Sequence, residues 1–382
     1  MKLDLTNYPI TDNHCHPFPI NREHKEFERN FCIGLYPVES EDMRNTLYYN
    51  MMMKELKRIF NLPQNTSDTE VIARRNKEAF ENRTEYVKML FKDAGYDRLL
   101  VDFGYPISQN TLKPEEIDEM YHDCSEQKIY CINRIEWVAN DLIKNKVPFS
   151  SFTKLLVENT KKMVNGQKLI AIKSVIAYFT GLEVKLTPIE IVEKNYNEFL
   201  SNPSDRAAEK FVRDYCFLVA CDICHELGIP LQIHTGLGDS PDCNLLKGNP
   251  FLLYDVLNLP KVRETKLMLI HGSYPYLEEL GMLLNHYTNV FADISSLCPY
   301  ASIAAEDKLL KLFELAPLNK VCFGTDGAGI PEHAWFGAVY LKRVLADALN
   351  SLVERGHISY EFAEKSARNI LTDNAGRIYN LK

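Results

Sequence analysis

The sequence has no unbroken apolar run near the length that crosses a bilayer, so no transmembrane helix and no membrane partner are expected. Its first residues, MKLDLTNYPITDNH, lack the basic-then-apolar pattern of a secretory leader. Lysine and arginine are scattered rather than clustered, and the net charge of −8 is modestly acidic, which argues against a nucleic-acid partner. No internal repeat, low-complexity tract or long linker interrupts the chain. What is present is 46% apolar and 25% charged residues, the balance of a globular protein; fibrous, collagen-like and disordered classes are excluded. The ten cysteines occur without an export signal, so they read as reduced thiols in a cytoplasmic protein. At 382 residues the chain is long for one small domain and short for three.

A short apolar segment followed by a helical one recurs along the chain. Eight segments read as strands: Tyr8–Asn13, Arg98–Phe103, Ile129–Arg134, Leu169–Val175, Pro230–His234, Lys266–His271, Val290–Ile294 and Val321–Thr325. Most are rich in Val, Ile, Leu and Phe without strict alternation, as in parallel strands covered on both faces. Helical spacing marks Ala207–Leu227, Pro275–Leu284, Ala304–Leu315 and Ala334–Arg355, the first stopped by Gly228 with Pro230 just beyond. Eight alternations predict a (β/α)8 TIM barrel, with a doubly wound sheet as the alternative. The whole of 1–382 then forms one barrel, and the charged, helix-prone stretch 17–96 is a helical insertion over its mouth. A second long stretch, Leu182–Arg206, reads as a lid or binding element.

Chemistry gathers at the predicted strand ends. Asp12-Asn13-His14-Cys15-His16 closes the first strand, and alternate strand residues share a face, so His14 and His16 can bind one ion while Cys15 points into packing. Lys173 lies near the end of the fourth strand, His234 ends the fifth, His271 ends the sixth, and Asp326 follows the eighth. Each follows a run that should be buried, where an unpaired charge is costly. Barrel enzymes place their chemistry at these C-terminal ends. Arg134, ending the third strand, offers a fork for a substrate carboxylate, with a salt bridge to Glu136 as the plain alternative. Tyr178 offers a hydrogen bond to substrate or simple packing. Asp102, Asp293 and Ser295 are candidates to support the histidines.

This order resembles the amidohydrolase superfamily: HxH on strand one, lysine on strand four, histidines on strands five and six, aspartate on strand eight. The segments IKSVIAYFTGL, QIHTGLGD and LIHGSYPY look like its amidohydrolase-related branch, which includes the hydrolase-like half of proteins fused to a glutamine-synthetase-like domain. The resemblance implies that His14, His16 and Asp326 hold one divalent ion and that His234 and His271 hold a second. Lys173 would bridge them, after losing its proton and taking up CO2 as a carbamate; burial beside metal favours the neutral amine. A metal-bound hydroxide would attack a carbonyl, with Asp326 as general base and then acid. A one-ion variant uses His14, His16, His234 and Asp326 as ligands, His271 to polarise substrate and Lys173 as a cation. Nitrogen and oxygen ligands suit Zn or Mn.

The leading expectation is therefore a metal-dependent hydrolase of a C–N bond, amide or cyclic amide, in a small carboxylate-bearing substrate. A mononuclear decarboxylase or sugar-acid isomerase is the alternative. A metal-free aldolase using Lys173 as a Schiff-base amine leaves four histidines unexplained. A binding protein with a vestigial site is disfavoured because no ligand position is lost. Homo-oligomerisation is left open. Four signals are discounted. Cys221-Asp-Ile-Cys224-His225 matches a haem-attachment pattern but sits inside a helix. The glycines of HTGLGD and GTDGAG read as tight turns. Glu332-His333 reads as a surface pair. His24, His122, His286 and His357 belong to no motif.

Overall fold

The computed structural model describes residues 2–19, 27–34, 38–104, 113–239, 242–295 and 300–382. Eight parallel strands form one sheet in sequence order: β1 (Ile10–Cys15), β2 (Tyr96–Asp102), β3 (Lys128–Arg134), β4 (Ala171–Ser174), β5 (Leu231–His234), β6 (Leu267–Ile270), β7 (Val290–Asp293) and β8 (Val321–Cys322). This is the (β/α)8 barrel class, and every predicted strand is matched by an observed one. β1 is shifted as a whole by two residues, which carries His14 within the strand, and β8 ends at Cys322, three residues before its predicted end.

The chain divides into two compact units. The first comprises Met1–Ile129, Ile294–Leu310 and Cys322–Asn374; the second comprises Tyr130–Asp293, Lys311–Val321 and Ala375–Lys382. In the first, β1 pairs with β2, Asp12 opposite Leu99 and Cys15 opposite Val101. Three steps along β1 match two along β2, so a bulge falls at Asn13-His14 and turns the side chains that follow.

Between β1 and β2 the described residues are largely helical. Thr46 caps Leu47–Ile59, a Ser67/Glu70 capping box opens Asp68–Glu81, and Gly95, at φ +78°, ends Arg83–Ala94. That last helix packs its buried Tyr86, Val87 and Leu90 side against the long helix Pro331–Glu354.

In the second unit β3 to β7 form a continuous parallel ladder. Arg134 stands level with Lys173, Lys173 with Gln232, and His234 with Ile270. β4 to β7 are buried at every position, which accounts for their unbroken apolar sequences. The helix Arg206–Leu227 is capped by Asp205 and stopped by Gly228 at φ +68°. Cys221 and Cys224 lie in its buried face, consistent with packing. All nine described cysteines are free thiols. Among the described residues, no helix is long and apolar enough to cross a membrane.

Candidate active site

In the first unit a buried carboxylate clamps the end of β1. Asp12 Oδ1 accepts the amide N–H of His14 (3.2 Å) and of Thr325 (2.9 Å). Its Oδ2 accepts the hydroxyls of Tyr96 (3.0 Å) and Thr325 (2.5 Å). Burial raises the Asp12 pKa to about 7 against the pull of these bonds. The clamp ties β1 to the turn after β8. There Asp326 N–H donates to His14 O (2.9 Å), and His16 N–H donates to Gly327 O (2.8 Å). Asp326 itself has a left-handed backbone, φ +58°, a conformation that persists where surrounding contacts enforce it.

The result is convergence. Asp326 Oδ1 lies 3.5 Å from His14 Nε2 and 3.2 Å from His16 Nε2. Asp102 Oδ2, at the end of β2, lies 3.7 Å from His16 Nδ1. His14, His16 and Asp102 offer ligand atoms all within 4.8 Å of one another. Two atoms bonded to one zinc-like ion at about 2.1 Å stand roughly 3.3 Å apart, so the spacing fits a shared cation, and the donors are those such ions take. The Asp326 side chain is 18% exposed, against 0% and 7% for the two histidines, so it is the member of the three most open to solvent.

In the second unit His234 and His271 face one another with ring centroids 4.4 Å apart. The Tyr178 ring stands edge-on to His234 at 4.6 Å, and its hydroxyl accepts the Asp239 N–H (3.1 Å). Cys243 Sγ lies 3.8 Å from His234 Nε2. His271 has φ +73°, and its N–H is received by Asp293 Oδ1 (2.8 Å). Lys173 is buried on β4, and Arg134 is buried at the end of β3. Glu136 does not pair with Arg134: its carboxylate accepts the Ser174 hydroxyl and the Val175 N–H. The structure thus gathers His14, His16, Asp102 and Asp326 in one unit, and His234, His271 and Tyr178 in the other.

Residues 201–381 match the family model for amidohydrolases. The protein fluG of Emericella nidulans is 29% identical over 255 residues, 64% of this chain, and the chain spans 29% of that relative's length. The family match covers a little under half of the chain, its C-terminal part. Among solved structures, one described as a metal-dependent hydrolase from Lactobacillus casei has a TM-score of 0.85 at 21% identity, over 100% of this chain and 98% of that one. A uronate isomerase from Thermotoga maritima has a TM-score of 0.70 at 13% identity, over 98% and 95%. Another from Bacillus halodurans has 0.65 at 11%, over 99% and 94%. At these identities the likeness is one of fold.

One reading of the sequence is corrected. Glu332 and His333 are not a surface pair; they are 0% and 5% exposed. Glu332 receives the buried Arg75 guanidinium and the Tyr86 hydroxyl (2.8 Å). His333 sits among the rings of Phe31, Tyr48 and Tyr300, with its Nε2 lacking a hydrogen-bond partner among the described residues. The sequence signal was available: both residues open a helix that begins five residues after Asp326. Cys15 is buried as expected. His24 lies outside the described residues.

Proposed function

We propose that the protein is a metal-dependent hydrolase of a C–N bond in a small carboxylate-bearing substrate. The observation that carries this is the approach of two imidazole nitrogens, at 3.2 and 3.5 Å, to one carboxylate oxygen at the strand ends of a barrel. His14, His16 and Asp326 are assigned to one ion. Lys173, His234 and His271 are assigned to a second, with Lys173 as its carbamate. Zinc suits both donor sets, and manganese is the alternative. A bound divalent ion lowers the pKa of water and polarises a carbonyl. Asp326, the partly open member, takes the proton and returns it to the departing nitrogen. In the one-ion alternative His271 would be free of metal and would polarise the substrate instead. The Arg134 guanidinium receives the substrate carboxylate, and Tyr178 donates a hydrogen bond from beside His234.

Asp326→Asn should keep most of the metal and lose amide hydrolysis by a factor of 10² or more, measured by elemental analysis and turnover of an amide panel. Full activity would remove Asp326 from the reaction. Arg134→Ala should raise KM for acidic substrates about tenfold or more while leaving neutral ones unaffected. A second reading has its own support: His14, His16 and Asp102 bring donor atoms within 4.8 Å of one another inside one unit, close enough to serve a single ion with Asp102 as ligand or as support for His16. That arrangement suits a single-ion decarboxylase or sugar-acid isomerase. Metal ions per chain separate the two, two for the hydrolase and one for the alternative.

A further inference from the structure

Glu136 belongs to none of the ligand sets above. It lies in the first turn of the helix Ile135–Lys144, directly after β3. Because Arg134 is level with Lys173 in the ladder, a side chain two residues past Arg134 meets the residues that follow Lys173. Glu136 does so with one atom. Its Oε1 accepts the Ser174 hydroxyl (2.7 Å) and the Val175 N–H (2.9 Å). The Ser174 hydroxyl oxygen in turn accepts the Ile176 N–H (3.3 Å). The chain then makes a single turn, Ile176–Tyr178, closed by Tyr178 N–H on Val175 O (2.9 Å). That turn delivers the Tyr178 ring to the edge of His234.

The arrangement is an expensive one for packing alone. Glu136 is buried, and its second oxygen, Oε2, has no hydrogen-bond partner among the described residues. A half-satisfied buried carboxyl is unfavourable compared with an apolar residue of the same shape. Local rules are broken in this way chiefly where a site demands it.

We propose that Glu136 is a positioning residue: its Oε1 fixes the exit of β4, and thereby the direction of Lys173 on one side and the seat of Tyr178 against His234 on the other. This rests on the ligand assignments proposed above for Lys173 and His234.

The test compares Glu136→Gln, which keeps an acceptor at Oε1, with Glu136→Ala and Glu136→Leu, which do not. A fluorotyrosine placed at position 178 reports the seat of that ring by its ¹⁹F shift, independently of metal. Zinc titration of the full chain reports the ions. The fluorine signal should move in the Ala and Leu variants and return to the native position in Gln. Where the native chain takes two ions, the Ala variant should bind the second at least tenfold more weakly and the first as before. An unmoved fluorine signal, a Gln variant that behaves like Ala, or an undiminished second ion would overturn the inference. A native chain that takes only one ion defeats the two-ion reading instead, and the fluorine signal alone then decides the role of Glu136.

Discussion

His333 is held neutral by burial, which lowers its pKa from 6.5 to about 4. In the unfolded chain the same imidazole titrates near 6.5. Above that pH both states are uncharged and the residue imposes no pH dependence. As pH falls from 6.5 to about 4, the unfolded state takes up a proton that the folded state refuses, so stability is lost over that window. The loss reaches about 3 kcal/mol. Urea unfolding at pH 7.5 and pH 4.5 should show this slope in the native chain and a shallower one in His333→Phe. Equal slopes would mean that His333 protonates in place. Asp12 shows why such residues escape a reading of sequence. Its neighbours Tyr96 and Thr325 are 84 and 313 positions away, so only the closed fold reveals the clamp.

At the scale of elements, the strands were legible because burial on both faces leaves continuous apolar sequence, as at Leu267–Ile270. Their ends were less so. β1 continues to Cys15 because the bulge and the bonds to the β8 turn prolong it past the polar Asp12-Asn13. The turn after β5 shows what spacing cannot reveal. A Cβ on Gly238 would stand 2.6 Å from the Tyr178 hydroxyl and 2.7 Å from His234 Nε2. Gly238→Ala should therefore displace one of these groups, weakening zinc binding about tenfold or more and costing about 1–3 kcal/mol. Gly228→Ala is the control. Its φ is +68°, but nothing lies within 4 Å of the added methyl. It should cost about 1–2 kcal/mol in backbone strain and leave zinc affinity unchanged. Equal zinc affinity in both variants would show that the turn does not constrain His234.

For the whole molecule, the fold class was legible because eight apolar runs alternate with helical stretches, and the six residues proposed as ligands were singled out by their places at or near the ends of those runs. The attachment of the long helical stretch was not, since it depends on an ion pair 257 residues apart in sequence. Arg75 and Glu332 are 1% and 0% exposed. The guanidinium also lies over the Phe27 ring at 5.0 Å. Burial pushes the Glu332 carboxyl upward, yet the Arg75 charge and its bonds outweigh that and hold it below the usual carboxylate range. Removing one member strands the other without water. Arg75→Met should then cost about 3–5 kcal/mol in urea unfolding, whereas Arg75→Met with Glu332→Leu should cost less than Arg75→Met alone. The sign of that comparison decides what the pair does. A double variant more damaged than the single one would mean that each side chain supports the fold separately. Recovery would mean that the pair mainly fixes how the segment after β1 meets the helix that follows Asp326, and zinc affinity in the recovered double variant would then show whether that alignment also supports the proposed metal ligands.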